Sequence, residues 1–379
     1  MDATTRNDSL RTSSGRPASR EELALAYDVV VIGGGAAGLS GALALGRARR
    51  SVLVIDAGDP RNAPAGHVHN YLGNEGIPPG ELLAKGRAEV DQYGVRVISG
   101  TVAAARQLAS DDTTSTAADG GDRFVVELAD GRSVRARRLL IATGLKDELP
   151  DVPGVAERWG RDVLHCPFCH GWEVRDQAIG ILATGPMAAH QALLFRQLSD
   201  DITLFQHTAP PLSEEQAEQL AARGIAVVEG EVSALEIEDD RLSGVRLTSG
   251  RFVPRQAVVI APKFVARSGV LASLGLEAID MEVGGHVVGT YVPSETRGAT
   301  SNPGVWLVGN VTDLMAQVIT SAADGLGAGA AIIADLTAED TAVAVAGYRA
   351  RPQATDELFS AGMEADTNER VLAGRQHGI

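Results

Sequence analysis

Apolar residues in this chain gather into short runs closed by glycine, and the runs alternate with longer Ala- and Leu-rich stretches. The first run, Val29 to Ile32, is followed by a glycine turn, a helical stretch and a second run ending at Asp56. This order predicts strand, turn, helix, strand. The same order returns in DQAIGILATGPMAAHQALLFRQLSDDITLFQHT, from Asp176 to Thr208. Two more strand-like runs end in small residues. One is ARRLLIATG, closing on Ala142-Thr143-Gly144; the other is PGVWLVGN, closing on Gly309-Asn310 ahead of a long helix. Repeated units of this kind predict an α/β fold with two Rossmann-like domains.

Polar stretches mark the edges. Met1 to Glu22 carries Ser, Thr, Arg and Asp without an apolar stretch, and is expected to be a disordered tail, not a signal peptide. SDDTTSTAADGGD, Ser110 to Asp122, reads as a mobile surface insert between two strands. The chain beyond Tyr348 is polar again and expected to be loosely held. No segment is expected to span a membrane, since the longest apolar run, Val29 to Leu45, is rich in glycine.

The first turn carries chemistry. It reads Gly33-x-Gly35-x-x-Gly38, with Asp56 18 residues past the last glycine. Gly33 permits the tight turn, Gly35 lets the backbone approach a pyrophosphate, and Gly38 lets the helix lie close on the strand. The helix start at Ala36 and Ala37 offers free N–H groups and a partial positive charge to phosphates. Asp56 can accept hydrogen bonds from a ribose diol. A glycine turn alone is a weak signal, but strand, helix and acid in order favour a dinucleotide site over a nucleotide-free turn. NAD and FAD both suit it. The Ala142-Thr143-Gly144 strand end and the Gly309-Asn310 strand favour FAD, because flavoproteins with two dinucleotide domains show both patterns. The dipole of the helix after Gly309-Asn310 would stabilise negative charge at the flavin's pyrimidine end.

The middle unit has a degraded turn. Ala183 stands at the first glycine position, Gly185 keeps the second, and Ala188 takes the third. A Cβ is unfavourable where a turn needs positive φ. After the next strand come Gln206-His207-Thr208, where an NADPH-selective domain places arginines for the 2′-phosphate. The expected shape is Rossmann-like with NADPH binding weak or lost, and a working NADH site is the other reading.

Composition narrows the class. The chain of 379 residues is 44% hydrophobic and 4% aromatic, with a net charge of −15. The acidic surface argues against nucleic acid or an anionic membrane as partner. Two cysteines cannot make a secreted disulfide framework, and a cytoplasmic setting is expected. Both lie in LHCPFCHGWE, as Cys166-Pro167-Phe168-Cys169-His170. A structural metal site needs four ligands, and with no second cysteine pair no metal is expected. A structural disulfide over so short a loop stabilises little. Redox cycling is left. A thiolate at a helix N-terminus is stabilised, with a pKa that falls to about 7. Pro167 limits the turn, and His170 can move the proton that exchange requires. A surface histidine at a helix start is the plainer reading of His170.

In order and spacing these motifs resemble low-molecular-weight thioredoxin reductase, from about Tyr27 to Leu336. CPFCHGWE looks closest to the thioredoxin-reductase-like dithiol oxidases. The resemblance implies an FAD domain in two sequence pieces, 27–150 and 265–338, around an inserted nicotinamide-type domain, 151–264, bearing the cysteines. The tail is then 1–26 and a C-terminal extension 339–379. It also implies a homodimer, FAD as cofactor, and Gln317 and Val318 in the cofactor-binding set. Cys169 would be the flavin-proximal sulfur, Cys166 the one exchanging with substrate, and His170 would replace an acidic proton donor. GHVHNYLG, Gly66 to Gly73, would lie near the flavin, where His67 and His69 could line the substrate cleft. Two departures stand out: the second glycine motif with its arginine pair is missing, and Asn310 replaces the Asp that usually holds the ribityl chain. They favour an oxidase in which a small dithiol reduces Cys166–Cys169, the pair reduces FAD, and oxygen reoxidises the flavin to give peroxide. An NAD(P)H-dependent reductase of a thioredoxin-like protein is the alternative, and a non-catalytic flavoprotein redox sensor the third.

Overall fold

In the computed structural model, which describes residues 23–108, 121–350 and 361–372, the first predicted unit forms β1 (Ala26–Ile32), α1 (Ala36–Arg47) and β2 (Val52–Asp56). The readings made for 1–22 and for most of 110–122 lie outside the described residues. Val29, Val30 and Val31 are fully buried, as a strand covered on both faces requires. Next come α2 (Pro79–Asp91), β3 (Arg96–Ser99), β4 (Val102–Gln107), β5 (Phe124–Leu128), β6 (Ser133–Ile141) and β7 (Leu145–Glu148). The middle of the chain forms α3 (Val155–Arg158), β8 (Val163–Leu164), α4 (Pro167–His170), β9 (Ile179–Leu182), α5 (Ala188–Phe195), β10 (Ile202–Phe205), α6 (Glu214–Ala222) and β11 (Ala226–Val228). It continues through β12 (Val232–Glu238), β13 (Arg241–Leu247), β14 (Phe252–Pro254) and β15 (Ala257–Ile260). The last part holds β16 (Lys263–Ala266), β17 (Ile279–Val283), β18 (His286–Tyr291), β19 (Val305–Leu307), α7 (Val318–Ala350) and α8 (Ala361–Leu372).

These strands make two Rossmann-like domains. In the first, β3-β2-β1-β6-β19 run parallel, so the late strand β19 completes a sheet begun at residue 26. β6 holds the sheet together: its start pairs antiparallel with β5, and Leu139 to Ile141 pair with both β1 and β19. In the second, β11-β10-β9-β15-β8 are all parallel, flanked by the antiparallel β12-β13-β14. β7 leaves the first domain and β16 returns to it; the two pair antiparallel in a small sheet with β18 and β17. The join expected at 264/265 therefore falls inside β16, and the one at 338/339 inside α7, which runs unbroken to Ala350.

Small residues let α7 lie against α1. A Cβ on Gly325 would sit 2.0 Å from the Ala37 carbonyl oxygen, and one on Gly41 3.0 Å from that of Gly325. α7 is long and apolar enough to cross a membrane, with a hydropathy of 1.3 over its most apolar stretch, which the sequence reading did not expect. Here its small-residue face is occupied by α1. Ion pairs fix the far end. Arg137 and Arg138 of β6 reach Asp28, Asp335, Glu339 and Asp340. Arg138 is only 2% exposed, so these carboxylates are what make its burial tolerable.

Candidate active site

The C-terminal ends of the adjacent parallel strands β1, β6 and β19 lead into the three small-residue turns singled out above. That is the crevice where open α/β sheets bind ligands. Gly33 has φ +109°, and a Cβ there would lie 2.3 Å from the Ala142 carbonyl oxygen. A Cβ on Gly38 would lie 1.9 Å from the Gly33 carbonyl oxygen, so helix and turn touch through bare backbone. Gly34, to which the motif gives no role, is equally constrained: its Cβ would meet the Asp56 carboxyl at 2.6 Å. Asp56 Oδ1 accepts from the N–H groups of Gly34 and Gly58, each at 3.2 Å. Gly35, by contrast, has nothing within 4 Å of a built Cβ and caps α1 without a side-chain hydrogen bond. The first-turn N–H groups of α1 are thus left for a ligand.

The turns line one cavity of about 870 Å³. It holds Gly33, Gly35, Ala36, Ala37, Asp56, Ala142, Thr143, Gly144, Gly309, Asn310, Gln317 and Val318, together with Cys166, Cys169 and His170. Gly38 alone of the expected residues is not on its wall, being spent in the contact with Gly33. Asn310 uses its amide inwardly. Nδ2 donates to the carbonyls of Asp313 and Ala316, both at 2.9 Å, which closes the bend leading to α7. Both N–H groups are then taken, and Oδ1 is the atom left to accept from a hydroxyl.

Cys166 caps α4, Pro167 fills its first position, and the two sulfurs are free. Cys166 Sγ accepts from the Cys169 N–H at 3.2 Å. The Cys169 thiol also donates to it, and with the N–H groups of Cys169 and Phe168 and the Arg61 charge this brings Cys166 down to about 7 against its burial. Cys169 is pushed up, by sharing its proton with Cys166 and then by burial. Above about pH 7 the reduced pair thus stands as a Cys166 thiolate and a Cys169 thiol. Burial holds His170 below the usual histidine value despite the nearby Glu173, so it is neutral near pH 7. His165 is committed elsewhere, its Nδ1–H donating to the Ile260 carbonyl at 3.0 Å.

Several wall residues carried little or no sequence signal. Arg61 makes a bidentate pair with Asp147 of β7, at 2.8 and 2.9 Å, and lies 5.0 Å over the Phe264 ring of β16. It braces the two crossing strands while adding positive charge near the sulfurs. His67 and His69 do reach this wall. Their loop is pinned by the Val68–Ile77 bridge and docks on the dithiol turn, Asn70 Nδ2 donating to the Phe168 carbonyl at 2.6 Å. A repeated histidine in a loop is too common a pattern to predict that contact.

The second domain's turn is built differently. Ala183 does not adopt positive φ, so the turn avoids the strain expected of a Cβ there instead of copying Gly33. Pro186 removes a backbone donor at the mouth, and α5 starts only after it. Gln206 Nε2 donates to the carbonyls of Ala209 and Pro210, and His207 Nδ1 accepts from the Val232 N–H. The side chains at the 2′-phosphate position are thus bound to their own backbone.

A dithiol turn opening on a dinucleotide cavity defines a flavin-dependent disulfide oxidoreductase. Comparison with known proteins agrees. Residues 27–325 match the pyridine nucleotide-disulphide oxidoreductase family model. Thioredoxin reductase tcpT of Claviceps purpurea is 33% identical over 263 residues, 66% of this chain and 78% of the relative. Thioredoxin reductase sirT of Leptosphaeria maculans is 30% identical over 319 residues, 81% and 93% of the two chains. The crystal structure of HlmI is similar with a TM-score of 0.76 and 46% identity, covering 84% of this chain and 95% of that one. The chain belongs to the pyridine nucleotide-disulphide oxidoreductase family, on its thioredoxin-reductase-like side.

Proposed function

We propose that the protein is an FAD-dependent dithiol oxidase that closes a disulfide in a small dithiol. One contrast carries the reading: the first nucleotide turn opens on a cavity shared with both sulfurs, whereas in the second domain Gln206 and His207, after β10, are bound to the Ala209 and Pro210 carbonyls and the Val232 N–H. The first turn fits FAD. The backbone from Gly33 to Gly35 and the start of α1 would hold the pyrophosphate, Asp56 a ribose, and Asn310 Oδ1 with the start of α7 the remainder. When bound, FAD supplies a two-electron acceptor able to pass the pair on to oxygen. The second turn does not fit NADPH, and no step is assigned to it.

The chain's own groups account for the exchange. A substrate thiol gives its proton to neutral His170 and attacks Cys166 of the oxidised pair. Cys169 leaves, taking that proton. The second substrate thiol then gives its proton to His170, neutral again, and attacks the substrate sulfur of the mixed disulfide. Cys166 departs as a thiolate, and its depressed pKa makes it the better leaving group. The products are a substrate disulfide and a reduced Cys166/Cys169 pair. Phe168 and Met315, 61% and 66% exposed, offer apolar contact at the rim. A homodimer and a cytoplasmic setting belong to the same proposal.

The test is an anaerobic titration of the yellow protein. A small dithiol should bleach the flavin, and NADPH or NADH should do so slowly or not at all. Rapid stoichiometric bleaching by NADPH would instead favour the second reading, an NAD(P)H-dependent reductase of a thioredoxin-like protein. The names borne by the fungal relatives support that reading.

A further inference from the structure

Oxidising a dithiol to a disulfide releases two electrons and two protons. With bound FAD as the two-electron acceptor, one proton would go with the electron pair, and the other would leave through groups of the chain. His170, facing the cavity, has its Nε2 buried and without a hydrogen-bond partner. So has His69, whose ring stands edge-on to His170 with 6.5 Å between centroids. On its other side His69 Nδ1 donates to Glu75 Oε1 at 2.6 Å, which fixes the tautomer and leaves Nε2 as the open lone pair. Glu173 Oε1 lies 3.3 Å from that Nε2 but outside hydrogen-bonding alignment. Buried ring nitrogens without partners are rare, and a water between the two rings and Glu173 would satisfy both.

We propose that His69, held by Glu75, relays the proton released at the dithiol from His170 to solvent. The groups facing His69 are Glu75 and His67 from its own loop, His170 from α4 and Glu173 just beyond it. Glu75 is the outlet, its side chain 64% exposed. Its carboxyl is held below the usual range by the His69 hydrogen bond, so it stays ionised and passes protons on to solvent without retaining them. These residues form no metal-binding group. His69 acts through His170 and is a relay, not a catalytic residue. The proposal rests on the dithiol-oxidation reading above.

The experiment is anaerobic stopped-flow bleaching of the FAD-loaded protein by dithiothreitol across pH, in wild type, His69→Ala and Glu75→Gln. Expected is a fall of about a hundredfold in His69→Ala, at the lower edge of what a lost proton-transfer group costs. FAD absorbance and circular dichroism should be unchanged, and added imidazole should restore the rate. Glu75→Gln keeps an acceptor for Nδ1–H, so it should retain the ring's orientation yet slow bleaching and shift its pH profile. It also decides the matter should His69→Ala misfold. Independently of flavin reduction, ¹⁵N-histidine NMR should show His69 in the Nδ1–H tautomer. An Nε2–H tautomer, or bleaching that neither variant slows, overturns the relay alone. Wild type that no dithiol bleaches overturns the proposed function and the relay with it.

Discussion

Asn70 Nδ2 donates to the Phe168 carbonyl at 2.6 Å, joining the histidine loop of the first domain to the dithiol turn of the second. Asn70 has φ +59°, so Asn70→Gly removes the side chain without straining the backbone. One such bond contributes about 0.5–1.5 kcal/mol. Hydrogen exchange at Phe168 to Gly171 should then speed up several-fold, and dithiol-driven bleaching should slow, with FAD retained. Unchanged exchange would mean the loop does not hold the turn.

Cys166 should behave as an acidic thiol. In the reduced protein, alkylation by iodoacetamide should rise with a midpoint of about 7 and modify Cys166 first, leaving Cys169 slow. A folded pKa below the unfolded one stabilises the reduced fold. That gain is fully present above the ordinary thiol value of about 8.5 and is lost as pH falls through about 7. Thermal unfolding of reduced wild type against Cys166→Ser should show the stability difference shrinking over that window. An alkylation midpoint at or above the ordinary value would contradict the assignment.

Gly34→Ala and Gly35→Ala should separate folding from binding. The first drives a Cβ into the Asp56 carboxyl, while the second meets open space. Gly34→Ala should therefore lower the melting temperature of the FAD-free protein, by several degrees for about 1–3 kcal/mol of overpacking. It should weaken FAD binding as well. Gly35→Ala should leave that melting temperature alone and lower FAD affinity only. Calorimetry of stripped and loaded protein distinguishes the two.

Asn310→Asp should destabilise the protein, although a carboxylate is the residue its family resemblance leads one to expect there. A carboxylate cannot donate to the Asp313 and Ala316 carbonyls and would face both of them. Losing these bonds with acceptors left unpaired costs about 1–3 kcal/mol. The melting temperature of the stripped protein should drop by several degrees; an unchanged or higher value would show that the bend does not depend on the amide.

The chain's own order of residues determined a good deal. Buried parallel strands need uninterrupted Val, Ile and Leu, so β1, β6 and β19 were visible as runs. Gly33 and Gly38 were visible because backbone touching backbone admits no Cβ, and only glycine meets that demand. Cys166 and Cys169 were visible because local spacing alone sets their chemistry. Tertiary structure decided what depends on distant segments meeting: Gly34 against Asp56, Arg61 bracing Asp147 and Phe264, and the loop of His69 and Asn70 laid on the dithiol turn. Those contacts join residues up to about 200 positions apart, as Arg61 and Phe264 are, and their side chains are of kinds that surfaces use freely. Nothing periodic marks them, so only the folded chain, by bringing their atoms within hydrogen-bonding reach, gives them a role.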